Sequence, residues 1–325
     1  MVRLEAWAVE GIAEIVGGTD LGALLCGLDL NEGDVVLVTS KIVSKSEGRV
    51  RAGDREEAIR HETVRVVAQR GATMIVENHL GMVVAAAGVD ASNVTPGHVV
   101  LLPTDPDASA LALRERVHEQ TGQNVAVVIT DTAGRAWRLG QTDLAVGAAG
   151  IDPLDDHAGR TDSYGNALVV TAPAVADELA SLAELVTGKL GGRPVTVVRG
   201  LGHRVLPSGD HGPGAPALIR RRDEDMFALG AREAVIAAVR GRDGDCFGTP
   251  AQPEEMLRAL DSCGLPGSVE GISVRVQLPG GDVRDQVAAV ERVRLVAHAH
   301  RWRPFSDITS PDERGDHVTI SPTAP

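Results

Sequence analysis

Aromatic residues are scarce in this chain: three Trp, one Tyr and three Phe, 2% of 325 residues. Hydrophobic residues still make up 43%, so the chain should be globular with a core of Val, Leu, Ile and Ala. Cysteine is scarce too. Cys26, Cys246 and Cys263 are far apart and odd in number. That excludes a disulfide framework and a cysteine-built metal site, and it fits a reducing, cytoplasmic setting. Cys26 falls in an apolar helical pattern and reads as a small core residue. No apolar run approaches the ~20 residues that span a bilayer. The start, MVRLEAWAVEG, lacks the pattern of a signal peptide, so no membrane is expected. Positive charge is in deficit, with 32 Lys+Arg against 45 Asp+Glu and a net charge of −13. With no basic run, nucleic acid is not expected as a partner. A local basic pocket for a small anion stays open.

The standard nucleotide fingerprints are missing as well. No G-x-x-x-x-G-K-[ST] stretch exists; Gly188-Lys189 is followed by Leu190. No G-x-G-x-x-G follows a strand; Gly200-Leu201-Gly202 runs into His203. Any nucleotide must be bound without either. The ten histidines contain no H-E-x-x-H pattern and read as structural or surface groups.

What is present is organised around residues 126–150, AVVITDTAGRAWRLGQTDLAVGAAG. Ala126 to Thr130 predict a buried strand that stops at Asp131-Thr132. Gly134, Arg135, Trp137, Arg138 and Gly140 follow. A carboxylate, a hydroxyl, glycines and arginines past a strand suit a cation and a phosphate. An ordinary polar turn would look similar. Elsewhere, residues 20–28 predict a helix capped by Asp20, and Val35 to Val38 a buried strand. Residues 54–70 predict a helix with Ile59, Val64 and Val67 inward. Met74–Val76, Met82–Ala87 and 99–102 predict strands, and 105–122 a helix opened by Asp105 or Asp107. Val169–Thr171 predict a strand, and 174–187 a helix burying Val175, Leu179, Leu182, Leu185 and Val186. Residues 195–200 predict a strand, 226–239 a helix and 241–248 a linker. This alternation implies an α/β (α+β) chain with mixed sheets.

Four polar clusters share one layout: Ser40/Lys45, Asp90/Asn93, Asp131/Thr132 and Gly188/Lys189. Three follow strands and the fourth ends a helix. Ligand sites of α/β proteins gather where such loops converge. Two aspartates with nearby lysines predict phosphoryl transfer from a nucleoside triphosphate, with Mg²⁺ or Mn²⁺ as the bridging cation.

GVDASN (88–93), ITDTAGRAWRLGQTD (129–143) and VTSKIVSKSEGR (38–49) together resemble the coenzyme F420-0:L-glutamate ligase family. VADELASLAELVTGK (175–189) and VVRGL (197–201) fit it too, in order from about residue 5 to about 240. The likeness is strongest to the ligase half of bifunctional proteins whose second half is nitroreductase-like. The resemblance implies a two-subdomain γ-glutamyl ligase fold, a homodimer, GTP as phosphate donor, two divalent ions (Mg²⁺ or Mn²⁺) and K⁺. It implies that GTP phosphorylates the carboxylate of coenzyme F420-0, that L-glutamate attacks the acyl phosphate, and that further glutamates join through γ-linkages. Carried over by position, metal ligation falls on Asp90, Asp131 and Thr132. Nucleotide contacts fall on Ile12, Ala13, Glu14, Ile15, Ser40, Lys41, Lys45, Asn93, Thr187, Gly188 and Lys189, running on to about Pro194. Asp131, Arg135 and Arg138 are the catalytic candidates, the arginines as carboxylate clamps. Trp137 and Tyr164 are candidates for stacking on the deazaflavin.

Two positions depart from the family pattern. Ala13 stands where Pro is common, which loosens that loop. Lys189 stands where many members have a Glu or Gln metal ligand, and a protonated lysine cannot ligate a cation. Either one metal has fewer protein ligands, or the lysine itself neutralises phosphate. A binding paralogue without catalysis and a ligase for another carboxylate acceptor are the competing readings. The expected division is a ligase domain, 1–245, and a small α+β appendage, 246–325. The appendage is too short for a nitroreductase-like domain and reads as a packing or dimer-stabilising module. Within it, 272–277 and 317–321 predict strands. Residues 283–301 predict a helix with Val283, Val287, Val290 and Val293 on its apolar side. Residues 322–325 predict a disordered end.

Overall fold

The structure is a computed structural model that describes residues 3–242, 244–280, 282–302 and 317–320. The expected disorder of 322–325 lies outside the described residues. The chain divides into two compact units, Met1–Arg220 and Arg221–Pro325. The first holds β1 (Glu5–Ala8), α1 (Leu21–Cys26), β2 (Val35–Thr39), α2 (Ser40–Ser46), β3 (Val50–Ala52), α3 (Arg55–Glu62), β4 (Thr63–Arg70), β5 (Thr73–Asn78), β6 (Val83–Ala85) and β7 (His98–Val100). It continues with α4 (Pro106–Thr121), β8 (Ala126–Gly134), β9 (Gln141–Ala149), α5 (Val175–Thr187) and β10 (Val195–Arg199). The second holds α6 (Ala231–Arg240), α7 (Pro253–Ser262), β11 (Gly267–Glu270), β12 (Ser273–Gln277), α8 (Val283–Ala299) and β13 (His317–Ile320). The mixed α and β content is as expected. Among the described residues no helix is long and apolar enough to cross a membrane.

A five-stranded sheet, in the order β1-β10-β2-β8-β9, frames the first unit. β2 and β8 run parallel, and the other neighbours are antiparallel. Both faces of the sheet are covered, which explains the unbroken apolar runs of β2 and β8. Val36, Val38, Val127 and Ile129 pack on one side with Leu21 and Leu25 of α1 and Leu113 and Val117 of α4. Val35, Leu37, Ala126 and Val128 pack on the other with Val175, Leu179 and Ala183 of α5. Asp20 caps α1, accepting from the Ala23 N–H at 2.9 Å, and Asp105 caps α4 in the same way through Ala108. Arg114 of α4 is buried. It donates to the carbonyls of Val125, Leu206, Pro207 and Asp210 and to Asn124 Oδ1, and so ties residues 206–210 to the helix.

Several expectations need correcting. The helix expected over 54–70 ends at Glu62, and 63–70 is the strand β4, paired antiparallel with β5 around Gly71. The β-branched run Thr63-Val64 and Val66-Val67 favours a strand, and Val64 points outward at 55% exposure. Val169–Thr171 forms no strand. Val169 and Val170 are exposed, and an isolated bridge joins Thr161 to Ala167 nearby. In α5, Leu185 is exposed; the buried stripe is Val175, Ala176, Leu179, Ala180 and Ala183. Ser40 to Ser46 are a short helix rather than a loop. Met82–Ala87 is strand only over Val83–Ala85, followed by a helical turn at Ala86–Gly88.

The second unit has its own core, built from Met256, Leu260, Leu265, Val274, Val276, Val293, Trp302, Val318 and Ile320. β11, β12 and β13 form an antiparallel sheet in that order. In α8 the buried seam is Ala289, Val293 and Ala297, while Val283 and Val287 are exposed. The boundary of this unit lies before α6, earlier than 245/246. α6 and the turn after it are held by α8: Arg294 donates to the Val239 carbonyl, and the His298 ring bonds the Arg242 carbonyl. α6 starts at Ala231 rather than at 226, where the Glu233 carboxylate accepts from the Gly230 N–H at 2.9 Å. All three cysteines are free, and Cys26 packs against the first core.

Candidate active site

The parallel pair β2–β8 ends with Thr39 opposite Thr130. The next residue on each strand builds the site. Ser40 begins α2, is buried, and donates its hydroxyl to Asp131 Oδ1 at 2.7 Å. α2 then sends Lys41 and Lys45, one turn apart and so on one face, toward one cavity. Asp131 and Thr132 lie inside β8, not beyond its end, because β8 continues to Gly134 as a hairpin with β9. The pairing shifts register between Ile129 and Thr130. Such a bulge raises the local twist and re-aims the side chains that follow. It brings Thr132 opposite Asp143. Asp143 is buried at 6% exposure, and its carboxylate accepts from Thr132 Oγ1 at 2.7 Å and Thr130 Oγ1 at 3.4 Å.

Asp90 comes from a different segment. Its backbone N–H and C=O bond to the C=O and N–H of Val100, which fixes it beside β7. The chain reaches it through Ala86, Ala87 and Gly88, all with φ between +54° and +79°. Gly88 is required there. A Cβ would lie 2.5 Å from Leu102 Cδ1, and its φ of +79° disfavours side chains. The Asp90 carboxylate accepts from Lys41 Nζ at 2.5 Å, from Ser92 Oγ at 2.6 Å and from the Ser92 N–H at 2.8 Å. Two further segments complete the ring. Glu14 pairs with Lys45. Past the end of α5, Lys189 Nζ donates to Thr132 Oγ1 at 2.8 Å and lies 4.0 Å from Glu184.

The two metal-candidate aspartates titrate in opposite directions. Burial pushes the Asp131 carboxyl up to about 6, and the nearby Asp143 and Asp90 charges add to the rise against the Ser40 hydrogen bond and Lys41. Burial also works against the Asp90 charge, but the bonds from Lys41 and Ser92 win and hold its carboxyl at about 2.

These groups line a cavity of about 640 Å³. Of the residues expected from the sequence, Ile12, Ala13, Glu14, Ile15, Lys41, Lys45, Asp90, Asn93, Asp131, Thr132, Thr187, Gly188 and Lys189 all line it. Ser40 does not; it lies behind Asp131. Arg135 and Arg138 sit in the exposed β8–β9 turn, outside the cavity wall, flanked by Gly134 and Gln141 that do line it. Trp137 and Tyr164 are also exposed and off the wall. Sequence reasoning missed Asp143, Thr130, Ser92 and Thr196. Asp143 carried a signal: it is a carboxylate at the head of an otherwise apolar strand. Among the described residues, Thr196 Oγ1 and Arg193 Nε are buried in this wall with no hydrogen-bond partner.

The donor set of aspartate and hydroxyl oxygens suits a hard cation such as Mg²⁺ or Mn²⁺. Among the described residues no three carboxylate, imidazole or thiolate groups enclose an ion by themselves. A Mg²⁺-type ion is commonly held by one or two carboxylates with substrate phosphates completing its shell. Burial, with a smaller contribution from the Asp143 and Asp90 charges, disfavours the Asp131 carboxylate, and a bound cation offsets that cost, so the residues fit it.

Comparison with known proteins agrees with this geometry. The family model described as F420-0:Gamma-glutamyl ligase matches residues 10–200. The chain is 40% identical over 221 residues to coenzyme F420:L-glutamate ligase of Archaeoglobus fulgidus, covering 62% of this chain and 89% of that protein. It is 39% identical over 249 residues to the protein of that name from Methanopyrus kandleri, covering 70% and 97%. For that of Methanothermobacter thermautotrophicus the identity is 36% over 246 residues, covering 67% and 96%. A cavity built from the matched segments and similarity over nearly the full length of these relatives together establish that this chain belongs to the F420-0:gamma-glutamyl ligase family.

Proposed function

We propose that the protein is a GTP-dependent ligase that joins L-glutamate to coenzyme F420-0 and extends it with further γ-linked glutamates. The observation that carries this reading is the convergence of Lys41, Lys45 and Lys189 with Asp90, Asp131 and Asp143 around one cavity. The lysines suit a triphosphate, and the carboxylates and a hydroxyl suit the cation that accompanies it. Asp131 would hold a divalent cation, which supplies charge neutralisation to the triphosphate when bound, while Asp90 and Thr132, the other two metal candidates, accept from Lys41 and Lys189. A potassium requirement and a homodimer, both implied by the resemblance, belong to the same proposal. So does the assignment of the chemistry to the first unit.

The reaction is an activation followed by a displacement. An oxygen of the acceptor carboxylate attacks the γ-phosphorus of GTP, and the bond from that phosphorus to the β–γ bridging oxygen breaks, releasing GDP. The glutamate amine, having lost a proton, attacks the acyl carbon. The carbon–oxygen bond to phosphate breaks, leaving an amide and inorganic phosphate. Lys41 and Lys45 hold the triphosphate from α2. Ser40 keeps the Asp131 carboxylate aimed at the cavity. Arg135 and Arg138, in the exposed β8–β9 turn outside the cavity wall, are the candidates to meet the carboxylates of glutamate or of the acceptor. The acyl phosphate is tested with an acceptor carboxylate enriched in oxygen-18. Transfer of one labelled oxygen to the released phosphate supports the route. Unlabelled phosphate alongside amide product contradicts it.

A further inference from the structure

We propose that the Lys189 ammonium is a built-in cation of this site, so that the cavity takes a single divalent ion per nucleotide, at Asp131. This rests on the nucleotide-dependent reading above. Three aspartates surround the cavity, and two of them are already matched by fixed cations. Asp90 receives Lys41 directly at 2.5 Å. Asp143 is matched through a hydroxyl: Thr132 Oγ1 donates its one proton to Asp143 Oδ1 at 2.7 Å, and its oxygen accepts from Lys189 Nζ at 2.8 Å. A hydroxyl has one proton and two lone pairs. With the proton committed to buried Asp143, the oxygen faces the cavity, and the ammonium takes the direction a metal ion would need. A divalent ion on the same oxygen would sit a few ångströms from a full positive charge, and the two would repel strongly at that range.

Asp131 differs. Among the described residues its carboxylate accepts from the neutral Ser40 hydroxyl and forms no ion pair. It is the aspartate left for a mobile cation. Lys189 is well placed for its role, with a side chain 62% exposed and Glu184 at 4.0 Å. Asp143 is then a positioning residue, orienting the Thr132 hydroxyl.

The test counts ions. Manganese is titrated into the full-length protein with saturating guanosine 5′-(β,γ-imido)triphosphate, and free Mn²⁺ is read by electron paramagnetic resonance. The wild type should bind one Mn²⁺ per nucleotide. Lys189→Gln, which removes the charge and supplies a ligating oxygen, should bind two. Lys189→Arg, which keeps the charge, should return to one. Two ions per nucleotide in the wild type, or one in Lys189→Gln, would overturn the proposal while leaving nucleotide binding in place. Failure of the nucleotide itself to bind would overturn this proposal and the ligase reading together. Melting temperatures of the variants close to the wild type confirm that the exposed substitution leaves the fold intact.

Discussion

Asp131 holds its proton at a pH where a free aspartate has lost it. Burial sets its carboxyl at about 6 against an ordinary 3.8. Between those values the native protein keeps a proton that the unfolded chain has released. Native stability therefore falls as pH rises through that window, and the cost persists above it. At neutral pH the shift amounts to about 3 kcal/mol, since one pKa unit is about 1.36 kcal/mol. Asp131→Asn should then raise the melting temperature of the metal-free protein at pH 7.5, abolish turnover, and show no stability gain below pH 4. Ser40 tests the same group from behind. It lies off the cavity wall, so Ser40→Ala should leave KM for GTP nearly unchanged. Its hydrogen bond to a carboxylate is worth about 1.5–3 kcal/mol, so kcat should fall about ten- to a hundredfold. A proportionate rise in KM would show that Ser40 touches nucleotide instead. At this scale the sequence disclosed about a third of the cavity wall, including most of its charged groups. Polar residues past apolar strands, and a resemblance carried across position by position, located thirteen of its lining residues. It hid Asp143 and Thr130, because their roles depend on a bulge and a cross-strand pairing that no spacing announces.

At the level of elements, the legible parts were those with local chemistry. Asp20 and Asp105 cap their helices, and the continuous runs of β2 and β8 became central strands. The illegible parts were decided by neighbours. Thr63 to Arg70 follows a helix without a break and is drawn into a strand by β5. β8 runs past Asp131 because β9 folds back on it. The approach to Asp90 shows how tightly an element can be specified. Gly88→Ala must adopt φ near +79° and push Leu102 aside. It should cost roughly 1–3 kcal/mol, read as a lower urea midpoint, and should weaken activity with it. An unchanged midpoint would mean that the Ala86–Gly88 turn relaxes freely.

For the whole molecule, the family match ends at residue 200, while a second compact unit begins at Arg221. The apolar patterns of 272–277, 283–301 and 317–321 predict a small α+β module after 245, but not that α6 belongs with α8, since that depends on the bonds α8 offers. A separate core implies separable stability. Trp302→Ala removes the largest side chain of that core and should cost about 3–5 kcal/mol locally, while the affinity for nucleotide stays as it was. Loss of nucleotide binding in that variant would tie the second unit to the site. The most direct test of the central claim is one assay. The purified protein is incubated with coenzyme F420-0, L-glutamate, GTP and Mn²⁺, and the products are weighed by mass spectrometry. The account predicts acceptor heavier by whole glutamyl residues, with one GDP per residue added and none from Asp131→Asn. GTP bound but no glutamylated product, or full turnover by Asp131→Asn, would contradict it.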